Sequence, residues 1–227
     1  NYGYHISAFY YHIFDYYNSS RLNIRFNFSQ SRNKVSAVYG DAPFIRMAGF
    51  TDIATVFAKD QPLGAIYGTS YLRNDRGQIL IDNDGYPLVD TDIKKLGDPT
   101  PDFIMTLYPT FNWRNFGLSF ILEYSQGGDR WNGTRAFMDY HGVSQGSAKQ
   151  RDIKGYIFTG VDQSGTANTK PIDFYNPNDN IQNNRWVRYG ISGVGEEYIE
   201  SATYLRLSDI TVSYTLHNRN RSQFIKA

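Results

Sequence analysis

The sequence predicts an all-β fold: antiparallel up-and-down strands forming part of a transmembrane β-barrel, with two long extracellular loops. Three observations predict it. Apolar and polar residues alternate over segments of about ten residues, the length a tilted strand needs to cross a bilayer. Short and long connections alternate along the chain. Aromatic residues make up 16% of the 227 residues, with 19 Tyr and 15 Phe, as interfacial aromatic belts require.

The pattern is plainest from Asp102 to Gly127. Phe103, Met105, Leu107 and Phe111 alternate with Ile104, Thr106, Tyr108 and Thr110. After the polar turn Asn112-Trp113-Arg114-Asn115, Phe116, Leu118, Phe120, Leu122 and Tyr124 alternate with Gly117, Ser119, Glu123 and Ser125, and only Ile121 breaks the polar row. Successive side chains of a strand point to opposite faces, so this is a hairpin with one apolar and one mostly polar face.

Taken in order, residues 3–17 read as an aromatic strand (Tyr4, Ile6, Tyr10, Phe14, Tyr16) with blurred alternation. Asn18-Ser19-Ser20 is a tight turn. From Arg21 to Gln30, Leu22, Ile24, Phe26 and Phe28 face one way, and Arg21, Asn23, Arg25, Asn27 and Ser29 the other. Two arginines on that face suit a wet lumen better than a sandwich interior. The segment 31–101 carries Gly and Pro punctuation and a small hairpin, with Gln78 to Ile81 turning at Asn83-Asp84-Gly85 into Tyr86-Pro87-Leu88. Segment 126–200 reads as a second long polar loop. Residues 202–216 form a strand whose phase slips at Ser208-Asp209, the mark of a bulge. A polar turn, 217–222, leads into Phe224-Ile225.

Short turns at 18–20, 112–115 and 217–222 thus alternate with long segments at 31–101 and 126–200. An up-and-down sheet then gathers every short turn at one end and every long loop at the other, as in outer-membrane barrels. Trp113, with Phe111 and Phe116, is expected at the periplasmic interface, joined by Tyr10, Tyr11, Phe14, Tyr16 and Tyr17. About six strands are legible, and a membrane barrel needs about eight to close; an open edge in lipid leaves costly unpaired backbone groups. The expectation is a piece of a larger barrel.

Composition narrows the function classes. A net charge of +1 gives no field for nucleic acid. Mean hydropathy is −0.51 and no run of about 18 apolar residues exists, which excludes a spanning helix but not a barrel. There is no Cys, hence no disulfide or thiol chemistry. The opening Asn1-Tyr2-Gly3-Tyr4 lacks the features of a signal peptide, so an exported protein is expected to begin elsewhere.

Signals for chemistry are weak. Gly142-Val143-Ser144-Gln145-Gly146 fits the nucleophile-elbow spacing, with His217 downstream, but no apolar strand precedes it. Asp82-Asn83-Asp84-Gly85 fails as a calcium loop, because Leu80 and Thr91 fall where ligands belong, and reads as a turn. His5, His12, His141 and His217 lack zinc spacing, so no catalytic or metal residue and no cofactor is expected. Glu196, Glu197 and Glu200 read as a solvated loop-to-strand junction paired with Arg206 rather than an acid–base cluster. Arg219 and Arg221 read as a solvated turn. Asp129, Arg130, Trp131, Tyr140, Tyr175 and Trp186, in the second long segment, are the candidate ligand contacts, since aromatic faces beside hydrogen-bonding groups suit sugars and peptides. Packing of the loop, or against a partner, is the competing role for each.

Several blocks resemble the SusC/RagA family of TonB-dependent outer-membrane transporters: Leu96-Gly97-Asp98-Pro99-Thr100-Pro101-Asp102-Phe103, Gln61-Pro62-Leu63-Gly64 with Tyr67-Gly68, Gly127-Gly128-Asp129 with Asn132-Gly133-Thr134, and, most specific, the run from Gly195 to Leu207. The resemblance covers nearly the whole chain and matches the C-terminal part of the family's barrel. It implies that residues 1–227 are a segment of such a barrel in the bacterial outer membrane, with plug, TonB-contacting segment and final strands lying outside it. It further implies import of an oligosaccharide or peptide beneath a SusD-like surface lipoprotein, energised by the TonB complex. The rival expectation is a soluble β-sandwich that binds carbohydrate through Trp131 and Trp186.

Overall fold

The computed structural model describes residues 2–15, 20–40, 42–50 and 52–216. Among them are eleven strands: β1 (Tyr2–Asp15), β2 (Ser20–Arg32), β3 (Phe44–Gly49), β4 (Ile53–Ala58), β5 (Ala65–Tyr71), β6 (Val89–Gly97), β7 (Phe103–Trp113), β8 (Phe116–Gln126), β9 (Asp129–Trp131), β10 (Ile199–Ser201) and β11 (Tyr204–Tyr214). Three α-helices, α1 (Gly133–Tyr140), α2 (Gln145–Gln150) and α3 (Arg185–Arg188), lie between β9 and β10. None is long and apolar enough to cross a membrane. The chain divides into two compact units.

The first unit draws on residues 1–32, 101–127 and 202–227. Its described residues form one antiparallel sheet in the order β1-β2-β7-β8-β11, an up-and-down meander. Register turns the sequence alternation into two chemically different faces. Ala8, Phe26, Leu107, Leu122 and Leu207 stand side by side across all five strands. One residue along, Ser7, Asn27, Thr106, Glu123 and Arg206 form the matching row on the other face. The polar row is knit by hydrogen bonds: the Ser7 hydroxyl donates to Asn27 Oδ1 (2.9 Å), and Arg206 Nη2 donates to Glu123 Oε1 (2.8 Å). Arg206 therefore pairs with Glu123 on the neighbouring strand, not with the glutamates at 196–200 as expected from sequence. Arg206 stands directly opposite Glu123 in the ladder, where opposite charges pair.

Nothing within this unit covers the apolar face among the described residues; Ile6, Leu118, Leu205, Leu207 and Val212 all lie exposed. The predicted slip in the last strand is present as a register shift between Leu207 and Asp209, which leaves Ser208 as the extra residue and keeps Ile210 and Val212 on the apolar face. The strands β7 and β8 run on through Asn112 and Trp113, so the central turn is the two residues Arg114 and Asn115, not four. Arg114 takes a left-handed conformation (φ +50°) to make it.

At that end of the sheet Phe14 meets Phe111 (6.4 Å between ring centres) and Phe116 meets Tyr214 (4.7 Å), with Trp113 opposite Phe116. Tyr10 shares this face opposite Ile24, but Tyr11 pairs with Asn23 and lies on the polar face, because adjacent strand residues cannot share a side. Tyr16, Tyr17, the turn residues 18 and 19, His217, and the 217–222 turn with Phe224-Ile225 lie outside the described residues. At the opposite end, Ser29, Ile104, Ser125 and Tyr204 are near neighbours by register; both long connections leave from there, and an Arg32–Asp102 ion pair closes it.

The second unit is residues 33–100 together with 128–201. The two long segments are thus one folded body rather than two separate loops. It holds a four-stranded antiparallel sheet, β3-β4-β5-β6, and a two-stranded one, β9-β10. The small hairpin is as expected: Ile81 bridges Pro87, and Asp82 Oδ1 accepts from the backbone N–H of Asp84 (2.8 Å) and Tyr86 (2.9 Å), an Asx turn. The remaining strands escape sequence reading for a physical reason. β4 and β5 are buried almost throughout, so they show no alternation, and register shifts interrupt β3–β4 and β5–β6. Tyr71, Tyr189 and Val194 make a core that joins the two segments, and Ile172, Phe174 and Trp186 make another.

Candidate functional site

The second unit contains a cavity of about 500 Å³ walled by α1, α2, α3 and the 3-10 turn Gly195–Tyr198. Each wall is set by a local rule. Asn132 caps α1, accepting from the Arg135 N–H (2.9 Å), while its amide reaches Glu200 (3.0 Å). Ser144 caps α2, accepting from the Ser147 N–H (2.9 Å) and donating to Asp139. Asn184 caps α3 through the Trp186 N–H (3.1 Å). Ser144 is buried and committed to this cap, which is the structural role of the Gly142–Gly146 motif; it follows a helix, not the strand an elbow needs.

The 195–200 stretch is the hub. Glu196 receives Arg73 through both terminal nitrogens (2.6 and 2.9 Å) and the Tyr71 N–H (3.0 Å). Glu197 receives Arg185 (3.0 Å) and the Tyr71 hydroxyl (2.7 Å). Glu200 receives Arg135 (2.6 Å), whose guanidinium lies over the Tyr198 ring at 4.9 Å. The expectation of a solvated run fails here: each carboxylate has its own arginine. Burial works against the Glu196 carboxylate, but Arg73 and the Tyr71 N–H outweigh it and hold the group below the usual range. Burial, with Asp139 nearby, pushes the Tyr198 hydroxyl well above the phenol range, so it is a donor at any working pH.

The six sequence-chosen residues do not converge. Trp186 forms part of the cavity wall but is 6% exposed, its ring edge-on to Phe174 (6.0 Å). Asp129, Arg130 and Trp131 instead line a mostly apolar groove of about 340 Å³ with Ile53, Ile66 and Pro99. There Trp131 meets the exposed Phe50 (5.6 Å), and the Asp129 carboxylate accepts from the Asp98 N–H (2.9 Å). Tyr140 packs on His141 (5.1 Å), and Tyr175 packs on the Ile172–Phe174–Trp186 core with Arg151 over its ring (5.9 Å); neither lines the cavity or the groove. Sequence reading missed Arg135, Asp139, Arg185 and Tyr198. The run Glu196-Glu197-Tyr198 was the available signal, but its arginine partners are distant in sequence.

No protein-family model matches the chain. It is 32% identical over 132 residues to TonB-dependent receptor P3 of Formosa agariphila, a match covering 48% of this chain and 13% of that protein. It is 16% identical to a chain in the structure of the RagAB peptide transporter, with a TM-score of 0.53 over 99% of this chain and 23% of that one. The chain therefore spans about an eighth of the curated relative. The likeness to RagAB, at this identity, shows a shared fold, and both matches support the SusC/RagA-like resemblance. The two relatives are named as a receptor and a transporter, not as enzymes.

Proposed function

We propose that the chain is a segment of a TonB-linked outer-membrane importer, residues 1–227 belonging to the C-terminal part of its barrel. The five-stranded sheet is the wall, with its apolar face to lipid and its row of Ser, Asn, Thr, Glu and Arg to the lumen. The body formed by residues 33–100 and 128–201 is extracellular and helps form the ligand cavity and the contact with a SusD-like lipoprotein. The substrate is an oligosaccharide or peptide, and Asp129, Arg130, Trp131, Tyr140, Tyr175 and Trp186 are candidate contacts to it or to the lipoprotein. The TonB complex acts through parts of the protein beyond this chain.

One observation carries the proposal: an up-and-down sheet whose apolar face has no cover within its unit among the described residues. In water such a face is an aggregation liability; in a bilayer it is the required surface. The soluble-sandwich rival needs that face packed on a second sheet around a dry interior. Expression separates the two. The importer reading expects the chain in the membrane fraction, released only by detergent. A soluble, monomeric, cooperatively melting chain would support the rival.

A further inference from the structure

We propose that the cavity beside the Gly195–Tyr198 turn seats the free amino end of a peptide, its α-ammonium on the Asp139 carboxylate and its first carbonyl on the Tyr198 hydroxyl and the Trp186 indole N–H. The inference deepens the importer reading, selecting among its substrates by charge, and rests on it for the source of the ligand. It starts from an imbalance in the cavity wall. Arg135 and Arg185 line the cavity, and each holds a glutamate, Glu200 at 2.6 Å and Glu197 at 3.0 Å. Asp139 lines it too, and among the described residues no arginine, lysine or histidine pairs with it. Its carboxylate accepts the Ser144 hydroxyl, and an ionised carboxylate has lone pairs left for further donors. The one unanswered charge in the wall is therefore negative.

Two buried donors share the same space. Tyr198 is 2% exposed and Trp186 6%, and buried phenol and indole groups ordinarily find hydrogen-bond partners. Among the described residues neither the Tyr198 hydroxyl nor the Trp186 indole N–H has one; the Asn184 side chain meets the backbone N–H of Trp186. Neither tip is sealed in the interior without a partner, and both residues line the cavity, so their partner belongs there. Burial, and after it the charge of Asp139, push the Tyr198 hydroxyl well above the phenol range, so this carboxylate and this donor act at close range. The occupant thus needs a cation and, beside it, an uncharged acceptor. The amino end of a peptide carries both, with one carbon between ammonium and carbonyl. A lysine side chain offers the cation alone, and a neutral sugar leaves Asp139 unanswered. An amino sugar has both, but its hydroxyls bring hydrogens that need acceptors in turn, whereas a carbonyl oxygen only accepts. A volume of about 500 Å³ lies within the range of small-ligand sites.

The test uses the full chain in detergent with Trp113→Phe and Trp131→Phe, which leaves Trp186 as the only indole. Its emission is titrated at pH 7 with trialanine amide, N-acetyl-trialanine amide, N-acetyl-lysine amide, a glucosamine disaccharide and cellobiose. The expected result is saturable binding of trialanine amide, at least about tenfold tighter than that of its acetylated form, the effect of one charge-assisted hydrogen bond. Binding is expected to fall as pH rises through the peptide's own amine, at about 8. Asp139→Asn keeps an oxygen for the Ser144 hydroxyl and is expected to erase the difference between the two peptides. Tyr198→Phe removes a different contact and is expected to weaken both while preserving their ratio, which separates loss of a contact from loss of the fold. Equal binding of the acetylated peptide, tighter binding of the lysine amide or of either sugar, no binding of any probe, or an unchanged ratio in Asp139→Asn overturns the proposal. A membrane-bound chain that fails these tests rejects this site alone. A soluble chain that passes them rejects the importer reading alone.

Discussion

Glu196, Glu197 and Glu200 each hold a different arginine, and those arginines come from three separate stretches of the chain. The consequence for Glu196 is testable through pH. Its carboxyl is held below the ordinary range in the folded protein, so its contribution to stability is present above the unfolded carboxylate pKa. That contribution is lost as pH falls through the lower, folded value. Melting of the 33–100 and 128–201 body is expected to drop on acidification, and Glu196→Gln is expected to lower the neutral-pH midpoint while flattening the acid limb. Equal acid sensitivity in the variant would remove Glu196 from this role. None of this could be read from the sequence, because a run of glutamates looks the same whether water or arginine meets it. The Asx turn at Asp82, by contrast, was legible, since Asp82 caps its own local backbone.

At the scale of elements, alternation made β2, β7, β8 and β11 readable, because a strand wet on one side writes its two faces into every second residue. The buried strands β4 and β5 carry no such record, and α1 to α3, at eight, six and four residues, are too short for helical periodicity to declare itself. Two element-scale predictions follow from register. Leu122 lies in the row shared with Leu107 and Leu207, near the middle of β8, so Leu122→Arg is expected to cost about 2–4 kcal/mol in bilayer-folded protein. Leu118→Arg, nearer the aromatic end, is expected to cost less, and Thr106→Arg on the other face little; denaturant unfolding from vesicles measures all three. The bulge gives a second. Deleting Ser208 restores strict alternation, with Leu205 and Leu207 still sharing a face with Ile210 and Val212. Deleting Thr211 makes Ile210 and Val212 adjacent, so they can no longer share a face, and every residue after the deletion is turned to the wrong side. The first deletion is expected to assemble and the second to fail, scored by the heat-resistant gel mobility of folded barrels; the reverse outcome would refute the register.

At the scale of the whole molecule, the alternation of short and long connections anticipated which segments would join the sheet. It did not anticipate that the two long segments would fold into one body with its own cores, because the Tyr71–Tyr189–Val194 packing links residues over a hundred positions apart. Everything proposed for function depends on which solvent each face of the sheet meets. The chain has no cysteine, so single-cysteine variants report one position at a time. The most direct measurement is fluorescence quenching of a probe at Leu107→Cys, Leu122→Cys or Leu207→Cys against Thr106→Cys, Ser119→Cys or Thr211→Cys, in protein reconstituted into vesicles. The account predicts that nitroxide-labelled lipid quenches the first three and aqueous iodide the second three. Iodide reaching both sets alike would contradict it.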